Sequence, residues 1–582
     1  MPSEASGWAW SSRTGGRHAV RRDAVPVQAG RGATTAAGAP DGDWTNAPDP
    51  LASRPARVRR PYLPLSIICA VQAALALPLV WSNTAFTDEA AYLWIGRLVN
   101  AHWLHGKSWP AGYAHRVMSG SPVIYPPLGA MADNVAGLAG ARILSLAFML
   151  GATVLLYFTA SSLVGRTGAI TATALWAASE TVYRLTFATY DAMSVFLVAL
   201  SAWLAVEAGL RRRVGPIAAS AAALALANAT AYSSIVIAPV VIAFAFLVWR
   251  PMVGARRSGF WAASFTAAWL ALFSLLITVS GTWAGIAFTV LNRKVNDYQP
   301  PILVLGHIGR YTGPMIVIAL TGAAIAIRTE QGWRRRLLVV LGATALLVPV
   351  AQLYFQTAWA LDKHVAFSIW FASIAAGYGC LRAGQWLARA IRTRPGVVAS
   401  AGAVALFILL AVDWLQASQT LREWPSATSF TAAFRPAAAR TDGQIFASSQ
   451  KRVAEYYTEQ GSKWWLWQAK GLSLDPSGIP RSRWSSYYAS HLSSGQYELI
   501  ALFYVSSRSV PRLSAATPRG ALGGPAYSEL LRLKNLTISE PGVPALTRVL
   551  RRDRSYRLIA VGPYNGSDSN GVYAIWQRTG TA

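Results

Sequence analysis

Two adjacent carboxylates, Asp88 and Glu89, follow the first long apolar stretch of this 582-residue sequence. Residues 90–105, directly after them, mix apolar and polar positions as a helix lying in a membrane interface does. The pair has a structural interpretation, because acids in the first turn of a helix interact favourably with its dipole, by about 0.3–1 kcal/mol. It also has a catalytic interpretation, because a carboxylate can be the general base that deprotonates a hydroxyl group. Position alone leaves both open.

The composition predicts that membrane helices position this pair. The chain is 53% hydrophobic and 13% charged, whereas a soluble domain is about 25% charged. Its net charge is +28, and the basic residues concentrate in short loops between apolar runs, which indicates membrane topology rather than a nucleic-acid-binding module. The expected partner is therefore the lipid bilayer, not nucleic acid. Two cysteines, Cys69 and Cys380, lie in apolar runs and exclude a disulfide framework.

Eleven apolar runs have the length of membrane spans. Residues 1–60 form a basic segment without periodicity, typical of a disordered tail. If this tail is cytoplasmic, every basic loop falls on the inner side, as the positive-inside rule requires. The prediction is a multi-pass cell-membrane protein with its N-terminus cytoplasmic and its C-terminal domain extracytoplasmic. The runs are 63–82, 141–164, 168–187, 191–210, 216–232, 234–250, 258–281, 312–328, 337–356, 364–383 and 398–418.

The acidic residues are placed unevenly in this topology. Residues 63–418 contain ten carboxylates, and most of them, including Asp88, Glu89 and Asp191, fall on the outer half. A carboxylate at membrane depth costs about 2.5–3.5 kcal/mol, so a water-filled outer cavity is the economical explanation. The outer face is therefore the candidate active face.

Residues 420–582 differ in character from the spans. Charged residues return, and Gly, Ser and Pro separate short apolar runs, which predicts a water-soluble domain. Strands are expected at 444–447, 499–505, 556–561 and 572–576, and a helix at 451–460. The prediction is a small extracytoplasmic α/β domain.

Four short segments together resemble a known family. They are FTDEAAYLWIGR at residues 86–97, YPPL at 125–128, ARILS at 141–145 and TYDAM at 189–193. Their order is similar to that of the GT-C glycosyltransferases of family 39 type, the protein mannosyltransferase-like and lipid A aminoarabinose transferase-like enzymes. The resemblance is strongest over residues 80–245 and implies GT-C architecture for residues 61–419.

The resemblance also implies roles for the acids. Asp88 is expected to be the catalytic base, Asp191 the second acidic site residue, and Glu89 a neighbour that orients Asp88 or helps to hold a cation. Relatives of the aminoarabinose transferase type often have a Lys before Pro-Pro-Leu that faces the carrier phosphate, whereas this chain has Tyr125. The carrier phosphate must therefore meet another cation.

Outer-loop bases are the candidates for that cation. Positioned cations stabilise a departing phosphate more in the transition state than in the ground state, although a base at a membrane edge also contacts anionic headgroups. Whether a divalent cation, Mg²⁺ or Mn²⁺, is needed stays open, with Glu89 as its candidate ligand; no other cofactor is expected. The candidate substrate-binding residues are Arg97, Tyr125, Tyr232, Arg293, Lys294, Lys363 and His364.

The prediction is an integral-membrane glycosyltransferase. It would move a sugar, with inversion, from a polyprenyl-phosphate donor to an acceptor hydroxyl of a lipid, glycan or protein on the outer face. Two alternatives remain. In a transporter or flippase of a lipid or anionic solute, Asp88 and Asp191 would be ion sites, and the key acids would lie near mid-bilayer. A structural scaffold would leave the outer acids unexplained.

Overall fold

A computed structural model of the protein describes most of the chain beyond residue 61. The described residues are 62–287, 299–358, 360–390, 426–467, 472–476, 478–506, 536–537, 541–565 and 570–579, with 411, 414, 415, 418 and 421. The predicted N-terminal tail, Arg293, Lys294 and most of the eleventh apolar run lie outside them.

The described part of the chain is mainly helical up to residue 390. It contains eight helices long and apolar enough to cross a membrane, together with the shorter apolar helix α7. This confirms the predicted multi-span helical fold class. The helices are α1 (Leu63–Val80), α2 (Thr87–His105), α3 (Ala111–Val117), α4 (Tyr125–Ala177), α5 (Glu180–Arg184), α6 (Tyr190–Arg211), α7 (Gly215–Thr230), α8 (Ala238–Val253, after a 3₁₀ turn at Tyr232–Ile237), α9 (Ala255–Ser280), α10 (Trp283–Ile286), α11 (Pro301–Thr329), α12 (Gly332–Ala343), α13 (Leu347–Phe355, joined to α12 by a 3₁₀ turn) and α14 (Leu361–Ala390).

Helix α4 combines two of the predicted runs. Its 53 residues would extend about 80 Å if straight, far beyond a hydrocarbon core of about 30 Å. Gly165, with φ 79° and ψ 169°, interrupts it between the second and third runs in a conformation that glycine tolerates best. The third run was predicted too long: the helix ends at Ala177, because the chain is extended at Ser179 before α5 begins.

The basic turns between successive helices lie at one end of the bundle. Helices α6 and α7 are joined by a short turn at Arg212, α8 and α9 by Gly254, and α11 and α12 by Glu330. Arg382, near the end of α14, pairs with Glu330 at 3.0 Å, so this end of α14 lies beside the α11–α12 turn. Asp191, at the start of α6, lies at the opposite end.

Helix α14 is the central helix of the bundle. Its residues from His364 to Gly379 are almost all buried, and small residues let neighbouring helices approach closely. A Cβ atom on Gly377 would lie 2.6 Å from the Gly168 carbonyl oxygen and from the Ala172 amide nitrogen of α4. Close packing of α14 against α4 thereby fixes the position of the residues at the start of α14.

The C-terminal region forms the predicted α/β domain. All four expected strands are present, and a fifth short strand pairs with β2. The sheet order is β1-β2-β5-β4; β1 and β2 are parallel, whereas β2–β5 and β4–β5 are antiparallel. The predicted helix 451–460 ends earlier, at Tyr457, and a 3₁₀ turn follows. The elements are α15 (Thr428–Ala439), β1 (Gln444–Ala447), α16 (Lys451–Tyr457), α17 (Trp484–Ser493), β2 (Tyr497–Ser506), β3 (Leu536–Thr537), α18 (Val543–Arg552), β4 (Tyr556–Asn565) and β5 (Asn570–Arg578).

Side chains of β2 point alternately to the two faces of the sheet, and helices pack on both faces. Ile500 and Leu502 pack into one apolar cluster with α17 and α18, whereas Leu499 and Phe503 pack into another with α15. Successive strand residues point to opposite faces of a sheet, so helices cover both faces. Helix α16 lies against α2 of the membrane domain.

Candidate active site

Three side chains distant in sequence meet where three helices begin. Asp88 lies in the first turn of α2, Asp191 in the first turn of α6 and Lys363 in the first turn of α14. The Lys363 Nζ atom is 2.9 Å from Asp88 Oδ2 and 3.7 Å from Asp191 Oδ2. The structure thus joins three of the candidates into one acid–lysine–acid cluster.

The two acids of the cluster differ in their access to solvent. The Asp88 side chain is 43% exposed, while that of Lys363 is 12% exposed and that of Asp191 is 1% exposed. Among the described residues, neither carboxylate oxygen of Asp191 has a hydrogen-bond partner. Lys363 is therefore the nearest cation that compensates this buried charge, and Asp88 is the acid that a substrate can reach.

His364 and two tyrosines surround the cluster. His364 Nε2 lies 3.8 Å from Asp191 Oδ1, and its Nδ1 lies 3.3 Å from Gln352 Nε2. The rings of Tyr92 and Tyr190 are 4.4 Å apart. Burial raises the pKa of Tyr92, and the carboxylates Asp88 and Asp191 raise it further, so its phenol stays protonated. A neutral hydroxyl group beside two carboxylates can donate a hydrogen bond to either acid or to a substrate.

Glu89 points away from its neighbour Asp88. It is fully buried and receives two hydrogen bonds from the Arg142 guanidinium, at 2.8 and 2.7 Å. The backbone amides of Ala188 and Phe86 donate to the same carboxylate, at 2.8 and 3.3 Å. Arg142 Nη1 also contacts carbonyl oxygens at the end of α1 and in the loop after it, including those of Leu79 at 3.1 Å and Asn83 at 3.3 Å. These contacts anchor the start of α2. Of the two adjacent acids, Glu89 therefore has a structural role.

Arg97 lies at the contact with the C-terminal domain. Its guanidinium donates to Asp133 Oδ2 at 2.6 and 3.0 Å and to the Tyr456 carbonyl oxygen at 2.9 Å. The Tyr456 hydroxyl group donates to the other Asp133 oxygen at 2.7 Å. The structure does not bring Arg97 into the acid–lysine–acid cluster.

The remaining candidates lie elsewhere. Tyr125 is buried, and its hydroxyl group is 3.0 Å from Ser145 Oγ. Tyr232 is buried in a small apolar cluster with Ile277 and Ile286. Arg293 and Lys294 lie outside the described residues.

Two arginines were missed as parts of the site framework. Arg142 holds Glu89, and Arg184 pairs with Asp362 at 2.7 Å, next to Lys363, as well as with Glu180 at 3.4 Å. A sequence signal existed, because an Arg inside an apolar run requires a buried acid as partner. Of these ion pairs, only the one between Arg184 and Glu180 could be inferred from spacing, because the two residues are four positions apart.

No metal cluster is evident in the described residues, where no group of three or more His, Cys, Asp or Glu side chains lies close enough to hold an ion. The Glu89 carboxylate, which is filled by four hydrogen-bond donors, has little capacity left for a cation.

The fold of this chain, a bundle of apolar helices with an α/β domain packed at one end, is similar to that of solved GT-C membrane proteins. Comparison of the structures supports this assignment. ArnT from Cupriavidus metallidurans bound to undecaprenyl phosphate has a TM-score of 0.50 at 13% identity, over 88% of this chain and 97% of that chain. The archaeal oligosaccharyltransferase AglB from Archaeoglobus fulgidus, in complex with an inhibitory peptide and a dolichol-phosphate, has a TM-score of 0.52 at 11% identity, over 86% and 79%.

This chain therefore has the GT-C fold that the sequence resemblance predicted. At the level of sequence, no family model and no curated protein matches it.

Proposed function

We propose that this protein is an integral-membrane glycosyltransferase that moves a sugar from a polyprenyl-phosphate donor to an acceptor hydroxyl on the outer face of the membrane. The observation that carries the proposal is the cluster in which Lys363 lies 2.9 Å from Asp88 and 3.7 Å from Asp191. The fold adds support, since the similar ArnT and AglB structures contain undecaprenyl phosphate and a dolichol-phosphate.

Asp88 is the base in this mechanism. Its exposed carboxylate takes the proton of the acceptor hydroxyl as that oxygen forms a bond to the anomeric carbon of the sugar. The bond between the anomeric carbon and the phosphate oxygen breaks at the same time, and the lipid phosphate leaves with the electron pair. One displacement inverts the configuration of the anomeric carbon, and one base is enough for it.

Lys363 is the cation for the departing phosphate. Its ammonium group is held between two acids in the first turn of α14, where little water reaches it. A cation in such surroundings stabilises developing negative charge more strongly than it would in water. A donor phosphate that draws Lys363 towards itself also frees Asp88 from its ion pair, so donor binding prepares the base.

The transporter alternative is less well supported by the positions of these groups. A transporter needs ionisable residues near the bilayer midplane, reached from both sides. Asp88, Asp191 and Lys363 instead lie within the first three residues of their helices.

The decisive experiment replaces the base. Asp88→Asn keeps the size of the side chain but removes its basicity, and general-base catalysis contributes about 10²- to 10⁴-fold. We expect sugar transfer from a polyprenyl-phosphate donor to fall by that factor, with donor binding retained. The matched control is Asp442→Asn, because Asp442 forms an exposed pair with Lys463 at 3.5 Å in the C-terminal domain. Undiminished turnover in Asp88→Asn would refute the mechanism.

A further inference from the structure

The C-terminal domain holds the backbone that leads into α2. The Ala85 amide donates to the Tyr457 hydroxyl oxygen at 2.8 Å. The Ala427 amide donates to the Thr84 hydroxyl oxygen at 2.9 Å. These two contacts lie three and four residues before Asp88, and both cross from the C-terminal domain to the membrane domain.

The same domain also holds the following turns of α2. Trp94 Nε1 donates to the Gly461 carbonyl oxygen at 2.7 Å, a contact buried on both sides. Arg97 donates to the Tyr456 carbonyl oxygen and packs over the Tyr456 ring, 4.4 Å from its centroid. The end of α16 and the 3₁₀ turn after it are thus fixed to one side of α2.

The membrane domain holds this segment from the other direction. Glu89 is bound to Arg142, and its carboxylate accepts the Phe86 amide. Asp88 takes no part in either set of contacts, and its carboxylate pairs with Lys363. Because that carboxylate is 43% exposed, few neighbours restrain the side chain itself. Its position depends on the backbone between Thr84 and Glu89.

We propose that Tyr457 is a positioning residue for Asp88, and that one role of the C-terminal domain is to fix, through Tyr457, the backbone that presents this carboxylate to the acceptor. This inference rests on the proposed function. The inference goes beyond the proposed function because it gives the C-terminal domain a role in the reaction at the membrane surface. Burial raises the pKa of Tyr457 to about 12, so its hydroxyl group stays neutral throughout the working range.

The test compares two Tyr→Phe variants of the full chain. Tyr457→Phe keeps the ring and removes the oxygen that accepts from Ala85. The matched control is Tyr556→Phe, since the buried Tyr556 hydroxyl also makes one backbone hydrogen bond, to the Tyr497 carbonyl oxygen at 2.6 Å, within the core of the same domain. Two quantities are measured for each: kcat and donor KM for sugar transfer, and amide hydrogen exchange in residues 82–90.

We expect Tyr457→Phe to lower kcat about 10-fold or more, because small displacements of a reacting group are costly, and to leave donor KM within about twofold. Exchange in residues 82–90 should become faster, since Ala85 loses its acceptor. Tyr556→Phe should lower Tm by a similar amount and leave kcat and this exchange unchanged. If Tyr457 merely stabilised the domain, the two variants would have the same kcat and the same exchange.

Equal kcat values in the two variants would overturn the positioning role, as would unchanged exchange in residues 82–90. A wild-type protein that transfers no sugar from any polyprenyl-phosphate donor would instead overturn the proposed function. The two failures are therefore distinguishable.

Discussion

Lys363 serves two acids with opposite requirements. Asp191, at 1% exposure, needs a permanent counter-charge, because an uncompensated carboxylate in a buried position is costly. Asp88, at 43% exposure, needs its counter-charge removed before it can accept a proton. A single ammonium group meets both requirements if a third anion, the donor phosphate, binds beside it.

This arrangement predicts a large effect of Lys363→Ala. Loss of the cation should lower transfer by roughly 10²-fold, the usual effect of removing one group that stabilises a transition-state anion. Lys463→Ala, in the exposed pair with Asp442, is the control and should transfer normally. The assay uses a polyprenyl-phosphate sugar, with and without chelator.

Chelation separates this mechanism from a metal-dependent one. If Mg²⁺ or Mn²⁺ carries the role, chelator abolishes transfer and Lys363→Ala has little effect. Transfer that survives both treatments would show that the carrier phosphate does not bind beside Lys363.

Removal of Arg142 should lower the stability of the fold, because Arg142 pairs with the buried Glu89. Arg142→Ala leaves a fully buried carboxylate without its partner, and removing one partner of a buried pair costs roughly 3–5 kcal/mol. The control is Arg211→Ala, because Arg211 is 60% exposed and pairs with Glu207 at 2.7 Å one helical turn away; such surface pairs contribute about 0–1 kcal/mol. Unfolding in detergent micelles measures both. Equal losses of stability would contradict the anchoring role of Glu89.

The sequence singled out candidate site residues without their partners. The family resemblance singled out Asp88 and Asp191, and the need for a cation at the carrier phosphate made Lys363 a candidate. The contacts that separate Glu89 from Asp88 could not be inferred, since Arg142 lies 53 residues further along the chain. Tertiary packing decides which of two adjacent acids is buried, and no local pattern encodes that choice.

At the scale of elements, hydropathy located the helices well. The second and third runs were separated correctly at Gly165, whose positive φ interrupts α4. The third run was extended too far, because apolar residues such as Val182, Leu185 and Phe187 continue the hydropathy pattern after the helix has ended at Ala177. In the C-terminal domain, alternation of apolar residues was enough to identify four strands.

Close packing of α14 makes Gly377 sensitive to one added methyl group. In Gly377→Ala, the new Cβ would lie 2.6 Å from atoms of α4, so α14 must shift and carry Lys363 with it. We expect a lower Tm and lower transfer. Gly313→Ala in α11 is the control, since a Cβ there meets nothing within 4 Å and alanine favours a helix by about 1 kcal/mol. Thermal unfolding and the transfer assay together provide the test, and a harmless Gly377→Ala would contradict the packing.

At the scale of the whole molecule, charge and chemistry occupy opposite ends of the bundle. The basic turns at Arg212, Gly254 and Glu330 lie at one end, and the acid–lysine–acid cluster and the C-terminal domain lie at the other. With the positive-inside rule, this separation predicts that the cluster faces outwards.

Cysteine labelling tests that orientation. In a background without Cys69 and Cys380, a membrane-impermeant reagent should label Ser494→Cys in intact cells but not Val214→Cys. Both positions are exposed, so a difference in labelling shows on which side of the membrane each residue lies. Equal labelling in intact cells would refute the topology, and permeabilised cells should label at both positions.

The contact between Ala85 and Tyr457 joins residues 372 positions apart. At about 5–20 residues per second, synthesis of the intervening chain takes roughly 20–75 s. The start of α2 therefore spends that time in the membrane before the hydroxyl group that fixes it exists, while Arg142 becomes available much sooner. The nascent chain thus buries Glu89 early, and Asp88 acquires its final surroundings among the last steps of biosynthesis.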